Sequence, residues 1–141
     1  MNQFEIIQKQ IQESRDPQSQ VILYKGEAYS FFDEGLTRYV FANLDKTKVI
    51  KILIDTDSID YNLQEFEIYD SASDEKKELL AETKMGDDSY IIEQEFCNPI
   101  KFDERYLTFP QIEFADRCRN EVGWNSKGKL VCFDLDEFKK Y

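Results

Sequence analysis

The stretch KVIKILIDTDSIDYNLQEFEIYD, residues 48–70, predicts a β-strand that leads directly into a helix. The opening KVIKILID is dominated by β-branched side chains, which favour an extended strand. Because side chains alternate between the two faces of a strand, Ile50 and Ile52 should face a core while Lys51 points to the opposite side. The spacing of apolar side chains then becomes helical, through Leu63, Phe66 and Tyr69. A strand lysine and the helix that follows it are therefore the centre of the predicted fold.

Strand and turn signals on both sides of this stretch complete the predicted fold. Apolar spacing predicts an amphipathic helix at 3–14, and VILYKGEAYSFFD and LTRYVFANL predict two strands before residue 48. The chain returns to strand, turn and strand at 80–96, and a short helix and a hairpin follow. We therefore predict an α+β protein with a five-stranded antiparallel sheet, one helix, and a reduced C-terminal helix and β-hairpin. The expected parts of this single compact domain are 1–20, helix and linker; 21–100, sheet and helix; and 101–141, C-terminal helix and hairpin.

The composition disfavours several classes of function. The 141 residues include 29 acidic and 18 basic side chains, which gives a formal net charge of −11. Such a charge repels nucleic-acid phosphates and anionic lipids but attracts basic protein surfaces. The chain has no histidine, which excludes Ser-His-Asp and Cys-His catalysis and the commonest zinc ligand. We expect no nucleic-acid partner and no membrane partner.

The cysteines and the N-terminus point to a cytoplasmic location. Cys97, Cys118 and Cys132 are odd in number and widely spaced, so they predict buried thiols rather than a disulfide framework. The N-terminal residues lack the basic start and apolar run of a signal peptide. No window is apolar for long enough to predict a membrane-spanning helix.

The predicted order of strands and helix resembles the small lobe of a protein kinase. In that family a lysine of the third strand, within a V-A-I-K motif, binds the nucleotide phosphates and pairs with a glutamate of the next helix. VIKI at 49–52 is similar to this motif and aligns Lys51 with its lysine. The resemblance implies Glu65 as the helix partner, with Glu67 as the alternative. It also implies that an adenine would meet the backbone around Glu95–Cys97.

Three acidic side chains extend the resemblance into the C-terminal part. In ADRCRNE, residues 115–121, Asp116 aligns with the aspartate of the kinase catalytic loop. Glu121 stands where the family has a metal-binding asparagine, although a shift by one residue would place Asn120 there instead. Asp134 follows at about the distance of the metal-binding aspartate of D-F-G. The resemblance thus implies Asp116 as the catalytic residue, Glu121 and Asp134 as metal ligands, and ATP and Mg²⁺ as cofactors.

The departures from the kinase pattern favour a protein without protein kinase activity. The chain has no G-x-G-x-x-G loop, and FFDEGLTRY contains Gly35 as its one glycine. Phe114 and Ala115 replace the His-Arg of the catalytic loop, and Leu135 follows Asp134 in place of phenylalanine. An activation segment and the helices that dock a protein substrate are also expected to be missing. These features imply a pseudokinase-type regulatory protein, similar to small kinase-like proteins of bacteria and phages.

Other interpretations of the same residues stay open. Lys51 and Glu65 are also consistent with exposed positions on a strand and a helix, and Asp134 with the cap of a final helix. The net charge fits an acidic protein-binding module, for example a phage-encoded inhibitor of a basic host or cellular protein. Phosphotransfer that uses Asp116 is a third hypothesis.

Overall fold

The computed structural model describes residues 3–13, 20–100 and 107–135 and has the predicted α+β class. Its helices are α1 (Gln3–Glu13), α2 (Ile59–Asp70), α3 (Asp74–Lys77) and α4 (Phe109–Arg117). Its strands are β1 (Val21–Tyr24), β2 (Glu27–Glu34), β3 (Arg38–Asn43), β4 (Lys48–Leu53), β5 (Thr83–Met85), β6 (Ile91–Glu95), β7 (Asn98–Pro99), β8 (Val122–Trp124) and β9 (Leu130–Cys132). A 3₁₀ turn, Thr56–Ser58, joins β4 to α2.

The main sheet has six antiparallel strands in the order β1-β2-β3-β4-β6-β5, one strand more than predicted. The difference arises in VILYKGEAYSFFD, which forms a hairpin of β1 and β2 and not a single strand. Lys25 and Gly26 at its turn have φ values of 51° and 78°. A positive φ at both central residues belongs to the tight turn that matches the twist of a hairpin. The chain therefore reverses at Lys25-Gly26, and β1 becomes an edge strand.

The two faces of the sheet carry different layers. Lys51 lies opposite Val40 and Ile50 lies opposite Phe41, so Lys51 and Ile50 point to different faces. Ile50 and Ile52 face the main core, as predicted. In this core α1 is buried against the strands through Phe4, Ile7 and Ile11. Helix α1 thus covers the face of the sheet that carries Ile50 and Ile52, and α2 packs on the opposite face, which carries Lys51.

Helix α2 packs on the sheet through polar side chains. Its buried residues are Asn62 and Glu65, whereas Leu63 is 43% exposed. The helix predicted from the spacing of Leu63, Phe66 and Tyr69 is therefore confirmed, but of these three side chains Phe66 and Tyr69 are partly buried and Leu63 is exposed. The buried face is selected by two basic side chains of the sheet, Arg38 and Lys51, which bond Asn62 and Glu65.

The C-terminal part forms a second sheet, in which β7, β8 and β9 pair in that order. Helix α4 begins with a capping box, because Thr108 and Gln111 exchange side-chain-to-backbone hydrogen bonds. The second sheet is tied to the segment before β5, since the N–H of Cys132 donates to the carbonyl of Leu79 and the N–H of Ala81 donates to the carbonyl of Cys132, both at 2.8 Å.

Some predicted features fall outside the described residues, namely most of the linker at 14–20 and the helix after Asp134. All three cysteines lie in the described part and are buried free thiols, as predicted. Within the described ranges, every helix is too short or too polar to cross a membrane.

Candidate functional site

The side chain of Lys51 forms a buried ion pair between β4 and α2. Lys51 is 4% exposed and Glu65 is 0% exposed, and Nζ of Lys51 lies 2.6 Å from Oε1 of Glu65. The ammonium also donates to the carbonyl oxygen of Phe133 at 2.5 Å. These two oxygens are its hydrogen-bond acceptors among the described residues. Because an ammonium has three N–H donors, the third has no acceptor among the described residues.

Arg38 is a second buried cation on the same carboxylate. One Nη of Arg38 donates to Oε2 of Glu65 at 2.9 Å, and the other donates to Oδ1 of Asn62 at 3.3 Å. The side-chain amide of Asn62 in turn donates to the carbonyl of Ser89 at 3.1 Å. Helix α2 is thus held to β3, to β4 and to Ser89, just before β6, by polar contacts on one face. Sequence reasoning missed Arg38, and its position two residues before Val40, the neighbour of Lys51, is the signal that would have found it.

The charges around Glu65 keep it ionised inside the protein. Burial by itself raises the pKa of a carboxyl group. The positive charges of Lys51 and Arg38, and the hydrogen bonds from both, outweigh burial and lower the pKa of Glu65 from 4.5 to about 2. One carboxylate therefore fixes two cations between the sheet and α2, and the ammonium of Lys51 is held at a defined point.

Two cavities, which together form the cleft, meet at Lys51. The inner cavity, of about 50 Å³, lies between the sheet and the segment at 94–99. Its lining is Phe32, Asp33, Val40, Val49, Lys51, Gln94, Glu95, Cys97, Pro99 and Phe133. The outer groove, of about 660 Å³, lies between the β2–β3 turn, α2 and residue 134. The outer groove falls within the roughly 300–1,000 Å³ of ordinary ligand sites, whereas the inner cavity is far below that range.

The residues predicted to meet an adenine line the inner cavity. Glu95 and Cys97 both contribute to its wall, together with the buried side chain of Gln94. Burial raises the pKa of the Cys97 thiol to about 12, so this side chain is a neutral, apolar part of the wall. A nucleotide-binding role for Glu95 and Cys97 stays a prediction.

The acidic residues of the prediction are divided between the groove and the surface. Glu121 and Asp134 line the outer groove together with Lys51. Asp116 is exposed on the last turn of α4 and is not among the side chains that line either cavity. The structure therefore brings Lys51, Glu121 and Asp134 to one groove and leaves Asp116 outside it.

Among the described residues, no three Cys, Asp or Glu side chains are placed to hold a metal ion by themselves. Mg²⁺ is commonly held by one or two carboxylates together with the phosphates of a nucleotide. Glu121 and Asp134 fit that second arrangement, since both face the groove that Lys51 lines. Their role as metal ligands stays a prediction.

A second buried carboxylate, Glu93, lies on the α1 face and was missed in the sequence. The hydroxyl of Tyr24 and the ammonium of Lys25 both donate to Oε2 of Glu93 at 2.8 Å. Burial works against ionisation of Glu93, but these hydrogen bonds and the charge of Lys25 lower its pKa overall. This cluster ties the β1–β2 turn to β6 and lines neither cavity around Lys51.

Comparison with known proteins adds no family to this description: no protein-family model matches the chain, and no curated protein matches it.

Proposed function

We propose that the protein is a kinase-like, nucleotide-binding regulatory protein of pseudokinase type, with ATP and Mg²⁺ as its ligands and without protein kinase activity. The observation that carries this proposal is the buried pair of Lys51 and Glu65 at the junction of two cavities. In kinases the corresponding lysine–glutamate pair must be formed for the nucleotide phosphates to be positioned. The third N–H of Lys51 and the two groove carboxylates, Glu121 and Asp134, support binding of a phosphate chain with its metal.

The β2–β3 turn supports a regulatory role over phosphotransfer. A glycine-rich loop binds phosphates with free backbone N–H groups. Here the N–H of Gly35 donates to the carbonyl of Arg38 at 2.9 Å, so it is used within the turn. The exposed position of Asp116, outside the groove that holds Lys51, also gives no support to proton abstraction next to the phosphates.

A thermal-shift experiment tests nucleotide binding. We expect saturating ATP with Mg²⁺ to raise the melting temperature of the wild-type chain, because a ligand that binds only the folded state stabilises it. The rise should disappear in Lys51→Met and shrink in Asp134→Asn. Lys48→Met is the matched control, since Lys48 is an exposed lysine of the same strand. An unchanged melting temperature of the wild type, or an equal rise in Lys51→Met, would overturn the proposal.

A second candidate function, an acidic module that binds a basic protein, rests on the net charge of −11. Long-range attraction of this kind weakens as salt screens the charges. A pull-down with basic bait proteins at low and moderate salt tests it. Binding that weakens with salt and is the same in wild type and Lys51→Met would support this second function, and failure to retain any basic bait at low salt would reject it.

A further inference from the structure

Phe133 lines three cavities in the described part of the protein, and Lys51 lines two of them. It lines the inner cavity of about 50 Å³ and the outer groove of about 660 Å³. It also lines a third cavity of about 420 Å³, which is bounded by Pro99, Ile100 and Arg119–Glu121. Because Phe133 borders a small cavity and two larger ones, the space available to a ligand where they meet depends on this residue.

Phe133 is the bulkiest apolar residue between the inner cavity and the outer groove. The inner cavity and the outer groove share four lining residues, namely Asp33, Val40, Lys51 and Phe133. Lys51 is fixed by its ion pair, and Val40 is paired in the middle of the sheet. Phe133 has the largest apolar side chain of the four, lies just after β9, and is only partly buried.

The backbone of Phe133 is anchored on both sides, so only its ring is adjustable. Its N–H donates to the carbonyl of Glu121 at 3.1 Å, and its carbonyl accepts from the ammonium of Lys51 at 2.5 Å. The ring packs against the small cluster of Ala81, Cys97 and Val131. A rotation or removal of the ring therefore leaves the carbonyl contact to Lys51 in place.

From these contacts we infer that Phe133 determines the size of ligand that the cleft accepts. With the ring in its present position the inner cavity is too small for a purine base, while the outer groove has room for a phosphate chain beside Lys51. The ring excludes the base until it moves, and a smaller side chain at this position admits it. This inference rests on the proposed nucleotide binding and adds the residue that limits it.

The test compares the affinities of the wild type and Phe133→Ala for MgATP and for magnesium tripolyphosphate by isothermal titration calorimetry. Phe133→Ala should bind MgATP about tenfold more tightly or better, because the base no longer has to displace the ring, and tripolyphosphate with an affinity within about twofold of the wild type. Phe133→Leu should lie between the two and serves in place of Phe133→Ala should that variant not fold. Phe31→Ala removes an equal ring on the α1 face of the sheet, outside both cavities, and should leave both affinities unchanged.

The outcomes separate this inference from the function on which it rests. If the wild type binds MgATP and neither Phe133 variant binds it more tightly, the size-limiting role is overturned and nucleotide binding stands. If both ligands gain affinity equally, the ring acts on the phosphate site and the inference is again overturned. If neither wild type nor variants bind either ligand, the proposed function and the inference fall together.

Discussion

Replacing Glu65 by glutamine removes the charge that holds the cleft together and keeps the shape of the side chain. Glu65 is completely buried between the ammonium of Lys51 and the guanidinium of Arg38. A neutral amide in its place leaves two buried cations without their shared carboxylate. Breaking a buried ion pair by removing one partner typically costs about 3–5 kcal/mol. We therefore expect Glu65→Gln to be strongly destabilising.

The pKa of Glu65 gives an independent magnitude and a pH dependence. A fall from 4.5 to about 2 on folding corresponds to about 3 kcal/mol of stability at neutral pH. Because the folded pKa lies below the unfolded one, this contribution is fully present above the unfolded pKa and is lost as the pH falls through the folded value. The free energy of unfolding of Glu65→Gln should therefore be lower than that of the wild type by about 3 kcal/mol at pH 7, and this difference should shrink by about half at pH 3.

Urea unfolding at both pH values measures this difference. Glu67→Gln is the matched control, since Glu67 is exposed on the same helix, and its effect should stay within about 0.5 kcal/mol. A loss of less than 1 kcal/mol in Glu65→Gln at pH 7, or a loss that does not change with pH, would mean that Glu65 does not stabilise the fold as an ionised partner of Lys51 and Arg38.

Two further predictions concern hydrogen bonding on the α1 face and packing in the second sheet. Tyr24→Phe removes one of the two donors to the buried carboxylate of Glu93 and should cost about 1–3 kcal/mol in urea unfolding; a neutral result would mean that Glu93 finds another donor. Gly123→Ala would place a Cβ 2.7 Å from the carbonyl oxygen of Asn98, so it should force β7 and β8 apart and cost about 1–3 kcal/mol. Gly35→Ala is its control, because its nearest neighbour would be 3.8 Å away, and equal melting temperatures for the two variants would count against the packing argument.

The fold class and the central strand were predictable because each rests on a local pattern. The alternation around Lys51 separates the two faces of β4, and the spacing of Phe4, Ile7 and Ile11 predicts an amphipathic α1. The split of the first segment into two strands was not predictable in the same way. It depends on a positive φ at Lys25, a conformation that non-glycine side chains rarely adopt.

The partners of Lys51 illustrate what a single sequence leaves open. Glu65 follows from the kinase resemblance and not from the helical spacing, which only predicts the helix and does not show that Glu65 is buried while Leu63 is exposed. Arg38 was missed because a charged residue at the start of a strand is ordinarily solvated, and its burial follows only from the register of β3 against β4. Phe133 reaches Lys51 through its backbone, a contact across 82 positions that no side-chain pattern encodes.

The most direct test of the account is a titration of the ¹⁵N-labelled chain with MgATP, followed by amide chemical shifts. Saturable shifts are expected at the residues around the cleft, namely Val40, Val49–Lys51, Gln94–Cys97 and Phe133, and these shifts should be lost in Lys51→Met. Amides on the opposite side of the molecule, such as those of α1, should not move. No shifts at millimolar MgATP, or shifts that cluster away from Lys51 and persist in Lys51→Met, would contradict the assignment of this cleft as the ligand site.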